Sequence, residues 1–433
     1  MNFLVFIFVL TLKKLSSTPF PDASAQCDSW DGSNERLKVT MLSSDWDSPE
    51  GGPSTIIREI AILLANNAEV EVTLLVPQSS FSEEDKTEAT SRNITILEAE
   101  KLTGYDPHDW LISPPTNHLI DVIVGHGRKL GKQAPLIRKS HKCKWLQVVH
   151  TAPEEHSKYK AYSETISKQR EIEIDLCKLA NLVMAVGPRL AKIYSSYLRS
   201  CEKDFFQLTP GVFSELTVVK QGSEEGGWFQ VLIVGRGDPE DFSLKGYDIA
   251  AKAIVELKDQ SYNLVVGTPR GKEEEMEQQL LQCGISKNQL LVRPFVQSKN
   301  KLKELLCEVD LAIMPSRTED FGLAALEALS AGLPILVSGN SGFGEALRAI
   351  PFGDLFVVDS EDCKEWAKAI KKIRKRNRAL RLEEIWRIRD YYEDTYSWQK
   401  QGEVLIDKML NLVHGRFVVR SSQKYHTKIR GFG

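Results

Sequence analysis

The stretch that decides the fold is a strand–loop–helix pattern that reads Met314-Pro315-Ser316-Arg317-Thr318-Glu319-Asp320-Phe321-Gly322-Leu323-Ala324-Ala325-Leu326-Glu327-Ala328-Leu329-Ser330-Ala331-Gly332-Leu333-Pro334. An apolar run at 309–314 predicts a buried strand before the loop, and another run at 335–337 follows the helix. The helix ends where a glycine precedes a proline. In parallel α/β sheets, ligands bind beyond the carboxyl ends of the strands. Glu319 in the loop and Glu327 in the helix are therefore candidate ligand-binding residues.

Length and composition set the class of protein. A chain of 433 residues is too long for one ordinary core, so two domains are expected. With 42% apolar and 27% charged residues it is a globular sequence, and its net charge of -3 gives no support for a nucleic-acid partner. The seven cysteines are odd in number and form no C-x-x-C pair. This pattern predicts neither a disulfide framework nor a zinc site, and most of the thiols are expected to be reduced and buried.

The first domain opens with a strand, a glycine-rich loop, a helix and a second strand. Apolar runs at 37–43 and 70–76 flank a helical pattern at 55–65, whose polar side is predicted to carry Arg58 and Glu59. Gly51 and Gly52 in the intervening loop would let the backbone approach a phosphate at the helix N-terminus, although a tight turn without a ligand is an equal alternative. Strands and helices then alternate, which predicts a mainly parallel sheet.

Two predicted strands of this domain end directly in histidine. His126 follows one apolar run and His150 follows the next. Histidine can donate a hydrogen bond or stabilise charge near neutral pH, and the carboxyl end of a strand is where this class of sheet binds ligands. The alternative is that each ring serves only as a structural hydrogen-bonding group.

The second domain repeats the pattern after a polar, glycine-rich linker placed at 214–228. Its first strand leads into Arg236, and Lys245 follows in the next loop. These two cations predict a clamp for a diphosphate, the alternative being two solvated surface charges. A second glycine-rich loop at a strand end contains Gly344 and Glu345, where a helix is predicted to begin.

The two ends of the chain lie outside this pattern. Residues 1–36 form a leader whose apolar run is too short to span a bilayer but, together with Ala23-Ser24-Ala25, resembles a signal peptide. A cytoplasmic location is favoured, and the secretory pathway is the alternative if residues 1–25 act as a signal. A basic helix is predicted at 366–389, where peripheral membrane contact is the alternative to a solvated face. A last helix at 396–414 precedes a basic tail at 415–433.

On these motifs the chain resembles the retaining glycosyltransferases of family 4, which have the GT-B fold. The resemblance runs through residues 37–412, and its most specific part is the pair of acids Glu319 and Glu327 around Phe321-Gly322-Leu323. The other matching motifs are Glu50-Gly51-Gly52-Pro53, His150, Val234-Gly235-Arg236, Lys245-Gly246 and Ser397-Trp398.

The resemblance implies two Rossmann-like domains with parallel sheets that face each other across a cleft. Residues 37–213 would form the acceptor side, and residues 229–395 would bind a nucleotide-diphosphate sugar such as a UDP-sugar. A hexosyl group would then pass to an acceptor hydroxyl with retention of anomeric configuration, without a metal or cofactor. The acceptor, whether sugar, lipid, small molecule or glycan, is not predicted.

The resemblance also implies a role for each site residue. Arg236 and Lys245 would stabilise the diphosphate, and Glu327 would bind the ribose hydroxyls. Glu319 would contact the transferred sugar, and His150 would donate a hydrogen bond near the reacting carbon. The remaining donor-binding residues would be Gly51, Gly52, Phe321, Gly322, Leu323, Gly344 and Glu345.

The chain departs from the family pattern at two positions. Pro210-Gly211-Val212 lacks the asparagine that the family places after the proline, and Asp320 stands where the family has glycine. Because these changes bear on a hinge or acceptor contact and on charge beside the donor, a non-catalytic nucleotide-sugar-binding relative is one alternative. A nucleotide-sugar epimerase or a phosphorylase is another. A dinucleotide-binding dehydrogenase ranks last, because no G-x-G-x-x-G follows the first strand.

Overall fold

Two parallel sheets organise the chain. The computed structural model describes residues 36–46, 52–152, 163–222, 224–235, 237–296 and 298–415, with the backbone alone at 163–166. The first sheet has the order β3-β2-β1-β4-β5-β6-β7, and all its pairs are parallel. Its strands are β1 (Leu37–Leu42), β2 (Val70–Pro77), β3 (Ile94–Ala99), β4 (Val122–His126), β5 (Lys144–Val149), β6 (Leu182–Val186) and β7 (Asp204–Leu208).

The second sheet repeats the same reversal of strand order. It has the order β10-β9-β8-β11-β12-β13, again with every pair parallel. Its strands are β8 (Phe229–Ile233), β9 (Tyr262–Thr268), β10 (Leu290–Pro294), β11 (Leu311–Met314), β12 (Ile335–Ser338) and β13 (Val357–Val358). We call the first sheet with its helices the first half and the second sheet with its helices the second half. The predicted pair of Rossmann-like domains is confirmed.

Helices connect the strands of each half. Those described in the first half are α1 (Pro53–Ala65), α2 (Glu83–Ser91), α3 (Pro107–Trp110), α4 (Ala134–His141), α5 (Ser163–Leu179) and α6 (Pro188–Tyr197). The later helices are α7 (Ser214–Thr217), α8 (Tyr247–Leu257), α9 (Glu273–Gln282), α10 (Lys299–Glu308), α11 (Leu323–Ser330), α12 (Gly342–Arg348), α13 (Cys363–Arg374), α14 (Arg378–Thr395) and α15 (Trp398–His414).

The strand order determines where ligands can bind. In each sheet the order reverses beside the first strand, between β1 and β4 and between β8 and β11. The loops that leave the carboxyl ends of these strands diverge to opposite faces and open a crevice at that point. Each half has its own apolar core, so the two crevices belong to two independently packed sheets.

Within the described residues, the chain crosses between the halves twice. Val212, Phe213 and Leu216 pack in the second core, so the predicted linker at 214–228 begins with a short helix that is already part of the second half. The last helix, α15, returns to the first half and packs on α1. A Cβ at Gly402 would lie 2.5 Å from Leu63 Cδ1, so a larger residue there would force the Leu63 side chain to move.

The predicted basic helix at 366–389 differs from the structure in two ways. The basic segment 366–389 is not one solvated helix, because the chain breaks between α13 and α14 at a new N-cap, Asn377. Arg378 and Arg381 are buried, where Arg378 pairs with Asp310 and Arg381 with Glu225. Because Arg378 and Arg381 point inward and form ion pairs, the exposed basic surface is smaller than the sequence suggested.

The cysteines also differ from expectation. The six cysteines in the described ranges are all free thiols, but only Cys143 and Cys177 are buried. Cys201, Cys283 and Cys363 are partly exposed and Cys307 is exposed, so the expectation that most are buried is wrong. Cys27, the leader and the tail at 416–433 lie outside the described residues. No helix among those described is both long and apolar enough to cross a bilayer.

Candidate functional site

A cavity of about 460 Å³ lies between the carboxyl ends of the two sheets. Loops and helix N-termini of both halves line it, so neither half encloses it alone. Of the residues predicted to form the site, eight line this cavity: Gly52, His150, Lys245, Glu319, Phe321, Gly322, Leu323 and Glu327.

Lys245 and Glu319 form the charged centre of the cavity. Lys245 Nζ lies 2.7 Å from Glu319 Oε2, and both side chains are largely buried. Burial alone lowers the pKa of Lys245, but the Glu319 carboxylate and its hydrogen bond outweigh burial and raise the pKa above the usual value. Lys245 is therefore charged at neutral pH, and its present partner is a carboxylate that an anionic ligand could replace.

The backbone holds this pair in place. Gly246 has a φ of 72°, and a Cβ there would lie 2.1 Å from the carbonyl oxygen of Pro315, at the end of β11. Only glycine allows the loop of Lys245 to approach the loop of Glu319 this closely. The Glu319 N–H donates to Asn340 O at 3.1 Å, and its carbonyl accepts from Gly342 N at 3.2 Å.

Two helices begin at the cavity wall. α1 starts after Gly52, whose φ is 73°, and α11 starts after Gly322, whose φ is 111°. Backbone N–H groups at a helix N-terminus are unpaired and carry partial positive charge, which favours an anion. Glu327 lies one turn into α11 on the wall of the cavity.

Asp320 joins the two halves. Its Oδ1 accepts a hydrogen bond of 3.0 Å from the backbone N–H of Ala152, two residues after His150. Asp320 and Ala152 are both buried. The charge that distinguishes this chain from the family pattern therefore serves as a contact across the cleft, at the loop that carries His150.

We expect the Asp320→Ala variant to lower the free energy of unfolding by about 1–3 kcal/mol, because the buried Ala152 N–H would lose its acceptor. Asp320→Asn keeps a carbonyl oxygen at this position and is the matched control, with an expected loss of less than about 1 kcal/mol. Urea unfolding of the two variants measures the difference. Equal stability of Asp320→Ala and the parent chain would show that this contact does not hold the halves together.

A second cross-cleft contact lies beside the first. Gly187, at the start of α6, has a φ of 86°, and a Cβ there would lie 2.4 Å from Phe321 Cδ2. Arg189 Nη2 donates to Thr318 Oγ1 at 3.2 Å, and Nη1 lies 3.8 Å from Glu345 Oε1. The loop after β11 is thus packed directly against the first half.

His150 packs against His126. The Nδ1 atom of His126 lies 3.1 Å from Nε2 of His150, and His126 is buried while His150 reaches the cavity. Burial lowers the pKa of His150 to about 4, although the nearby Asp320 carboxylate acts in the opposite direction. Burial and then the neighbouring His150 lower the pKa of His126 well below its usual value. Both rings are therefore neutral at pH 7.

A chain of ion pairs that was not predicted from the sequence crosses the cavity. Arg58 Nη2 lies 2.6 Å from Glu215 Oε1, and Lys299 Nζ lies 3.2 Å from Glu215 Oε2. All three side chains line the cavity. Arg58 was predicted to lie on the polar side of α1, but it is 4% exposed. The helical periodicity could not reveal this, because the partner is 157 residues away in sequence.

The remaining predicted residues are placed as follows. Gly51 and Arg236 lie outside the described residues. Gly344 and Glu345 are not part of the cavity wall. Gly344 is buried at the N-terminus of α12, which begins at Gly342 rather than at Glu345, and Glu345 points towards Arg189.

Known proteins resemble this chain over most of its length. The profile of a family described as "Family 4 Glycosyltransferase in conflict systems" matches residues 40–405. D-inositol 3-phosphate glycosyltransferase of Mycobacterium marinum is 29% identical over 180 residues, which are 41% of this chain and 37% of that protein. The same enzyme of Rhodococcus opacus is 28% identical over 186 residues, 41% of this chain and 40% of that protein. The matches thus span well under half of these curated relatives.

Solved structures show the same architecture over a longer span. Sucrose-phosphate synthase of Thermosynechococcus elongatus superposes with a TM-score of 0.68 at 17% identity, covering 88% of this chain and 100% of that one. HepE of Anabaena, solved with UDP and glucose, gives a TM-score of 0.65 at 16% identity, covering 86% of this chain and 99% of that one. At these identities the likeness establishes the fold alone.

The chain therefore has the GT-B fold of these solved structures. The chain belongs to glycosyltransferase family 4, since the family profile matches most of its length. The resemblance inferred from Glu319, Glu327 and their surroundings is confirmed.

Proposed function

We propose that this protein transfers a hexosyl group from a nucleotide-diphosphate sugar, such as a UDP-sugar, to an acceptor hydroxyl with retention of anomeric configuration. The observation that carries the proposal is the Lys245–Glu319 pair, at 2.7 Å, in a cavity that both halves enclose. The donor would occupy this cavity with its diphosphate beside Lys245.

The ammonium of Lys245 supplies the charge that the reaction needs. As the glycosidic bond breaks, negative charge develops on the departing nucleoside diphosphate, and a fixed cation stabilises it. Lys245 would exchange Glu319 for the diphosphate, which leaves the carboxylate free to accept hydrogen bonds from sugar hydroxyls. In this proposal Arg236 provides a second cation, the N-termini of α1 and α11 add partial positive charge, and no metal or cofactor takes part.

The other side chains would orient the donor. Glu327, one turn into α11, would accept hydrogen bonds from the ribose hydroxyls. His150 would donate a hydrogen bond to the transferred sugar from the opposite wall. The acceptor would approach from the first half, through the loops after its strands. The curated relatives act on D-inositol 3-phosphate, as their names state, but no contact in the described residues selects that acceptor.

The main alternative is a non-catalytic relative, which rests on Asp320 and on the missing asparagine after Pro210. The argument from Asp320 is weaker than the sequence suggested. Asp320 was expected to add negative charge beside the donor, but one of its carboxylate oxygens is engaged by Ala152 N at 3.0 Å. Asp320 lines the cavity, but this hydrogen bond gives it a structural role that accounts for the residue without a loss of activity. The cellular location stays a prediction.

The Glu327→Ala variant tests the binding part of the proposal. We expect it to weaken nucleoside-diphosphate binding about 10- to 100-fold in calorimetric titration, because two hydroxyl donors would lose a charged acceptor. Glu327→Gln retains one acceptor oxygen and is the matched variant, with a smaller expected loss. If the parent chain and the Glu327→Ala variant bind the nucleoside diphosphate equally well, Glu327 is not part of the donor site.

A further inference from the structure

The pair formed by His126 and His150 is not explained by packing alone. The two rings come from the carboxyl ends of adjacent strands, β4 and β5, which are paired in parallel register. Their nitrogens approach to 3.1 Å, which is a hydrogen-bonding distance. His126 cannot move away easily, because its backbone N–H and carbonyl are both bonded to Leu130 at 3.1 Å. The position of the buried ring is therefore fixed by the fold.

The two nitrogens of the His126 ring have different surroundings. Its Nδ1 atom faces His150 Nε2, whereas its own Nε2 is buried and has no hydrogen-bond partner in the described residues. Since both rings are neutral and these nitrogens lie at a hydrogen-bonding distance, one ring donates a proton to the other. If His150 were the donor, His126 would have to carry its own proton on Nε2, as a buried N–H without an acceptor. Such orphaned donors are rarer than under-satisfied acceptors.

We infer that His126 is a positioning residue that donates its Nδ1 proton to Nε2 of His150 and thereby fixes the tautomer of His150. His150 then carries its single proton on Nδ1. Because Nε2 is engaged, Nδ1 is the only ring nitrogen that His150 can direct at a ligand, and it can act only as a donor. A sugar hydroxyl oxygen would be its acceptor.

This arrangement has a catalytic benefit that rests on the proposed function. An imidazole free to exchange tautomers would present a lone pair to the sugar for part of the time, and that state would not stabilise an electron-rich oxygen. Holding the donor form in advance removes that loss from the reaction barrier. The assignment of the tautomer itself does not depend on whether sugar is transferred.

The tautomer can be read directly in the resting protein. Nitrogen-15 NMR of histidine-labelled full-length chain distinguishes a protonated from an unprotonated ring nitrogen, and the His150→Gln variant identifies the signals of His150. We expect protonated Nδ1 and unprotonated Nε2 at pH 7. A proton on Nε2, or an averaged mixture of the two tautomers, would overturn the inference, whatever the activity of the chain.

Two substitutions of His126 test its role. His126→Asn places an amide N–H where Nδ1 stood, so we expect it to retain the tautomer. His126→Leu removes the donor, so His150 should become a tautomer mixture and kcat should fall about 10- to 100-fold with little change in KM for the nucleotide sugar. Identical spectra for folded His126→Leu and parent chains would overturn the inference. An inactive parent chain with the expected spectrum would instead contradict only the proposed function.

Discussion

Replacing Lys245 by methionine will lower kcat for sugar transfer by about 100- to 1,000-fold, the effect of removing one preorganised charge-stabilising donor from a closed site. Methionine keeps most of the length of the side chain but cannot neutralise the departing diphosphate. Glu319 would also lose its partner at 2.7 Å and would repel the anionic donor. Both effects act in the same direction, so the loss should exceed that of any other single substitution in the cavity. Initial rates of nucleotide release measure it.

Lys272→Met is the matched control for this experiment. Lys272 also pairs with a carboxylate, Glu275, at 2.9 Å, but it is half exposed and lies outside the cavity wall. Because Lys272 lies outside the cavity and an exposed ion pair contributes little to stability, this variant should keep the parent rate. Equal rates for Lys245→Met and Lys272→Met would remove Lys245 from the diphosphate site.

Gly187→Ala will destabilise the fold by about 2–4 kcal/mol, because two penalties coincide at this position. The φ of 86° is costly for any residue with a Cβ, and the added methyl would lie 2.4 Å from Phe321 Cδ2. Phe321 cannot swing aside without leaving Phe343, whose ring centroid is 5.9 Å away. The clash should therefore push the loop after β11 away from the first half. Thermal and urea unfolding measure the loss.

The control for Gly187→Ala is Gly271→Ala. Gly271 has nearly the same φ, 85°, but a Cβ there would meet nothing within 4 Å. Its expected loss is the backbone penalty alone, about 1 kcal/mol. A Gly187→Ala variant as stable as Gly271→Ala would mean that the contact with Phe321 does not constrain the cleft.

The sheets could be predicted because their evidence is local. Strands such as β6 are short apolar runs with clear boundaries, and the apolar face of α8 defines that helix without knowledge of its neighbours. Lys245 and Glu319 could be proposed for one site because both follow strands of the same predicted sheet. Their direct pairing could not, since no sequence pattern states which residues of two loops touch.

The contacts across the cleft could not be predicted for the same reason, since no sequence pattern states which distant residues touch. Asp320 bonds to Ala152, 168 residues earlier, and Arg58 pairs with Glu215, 157 residues later. A charged residue in a helical pattern is normally assigned to the solvent side, which is why Arg58 was misplaced. The position of His126 at a strand end did indicate a possible site residue. Its role, however, depends on His150, which lies beside it at the end of the neighbouring strand.

The central claim is that this cleft releases a nucleoside diphosphate by transferring sugar from a nucleotide-sugar donor. The most direct test is the initial rate of nucleoside-diphosphate release from a panel of UDP-, GDP- and ADP-sugars, with the parent chain and the Lys245→Met variant side by side. The predicted result is release from at least one donor by the parent chain and a rate about 100- to 1,000-fold lower for the variant. Binding of these nucleotides without release from any of them, or equal release by both chains, would contradict the account.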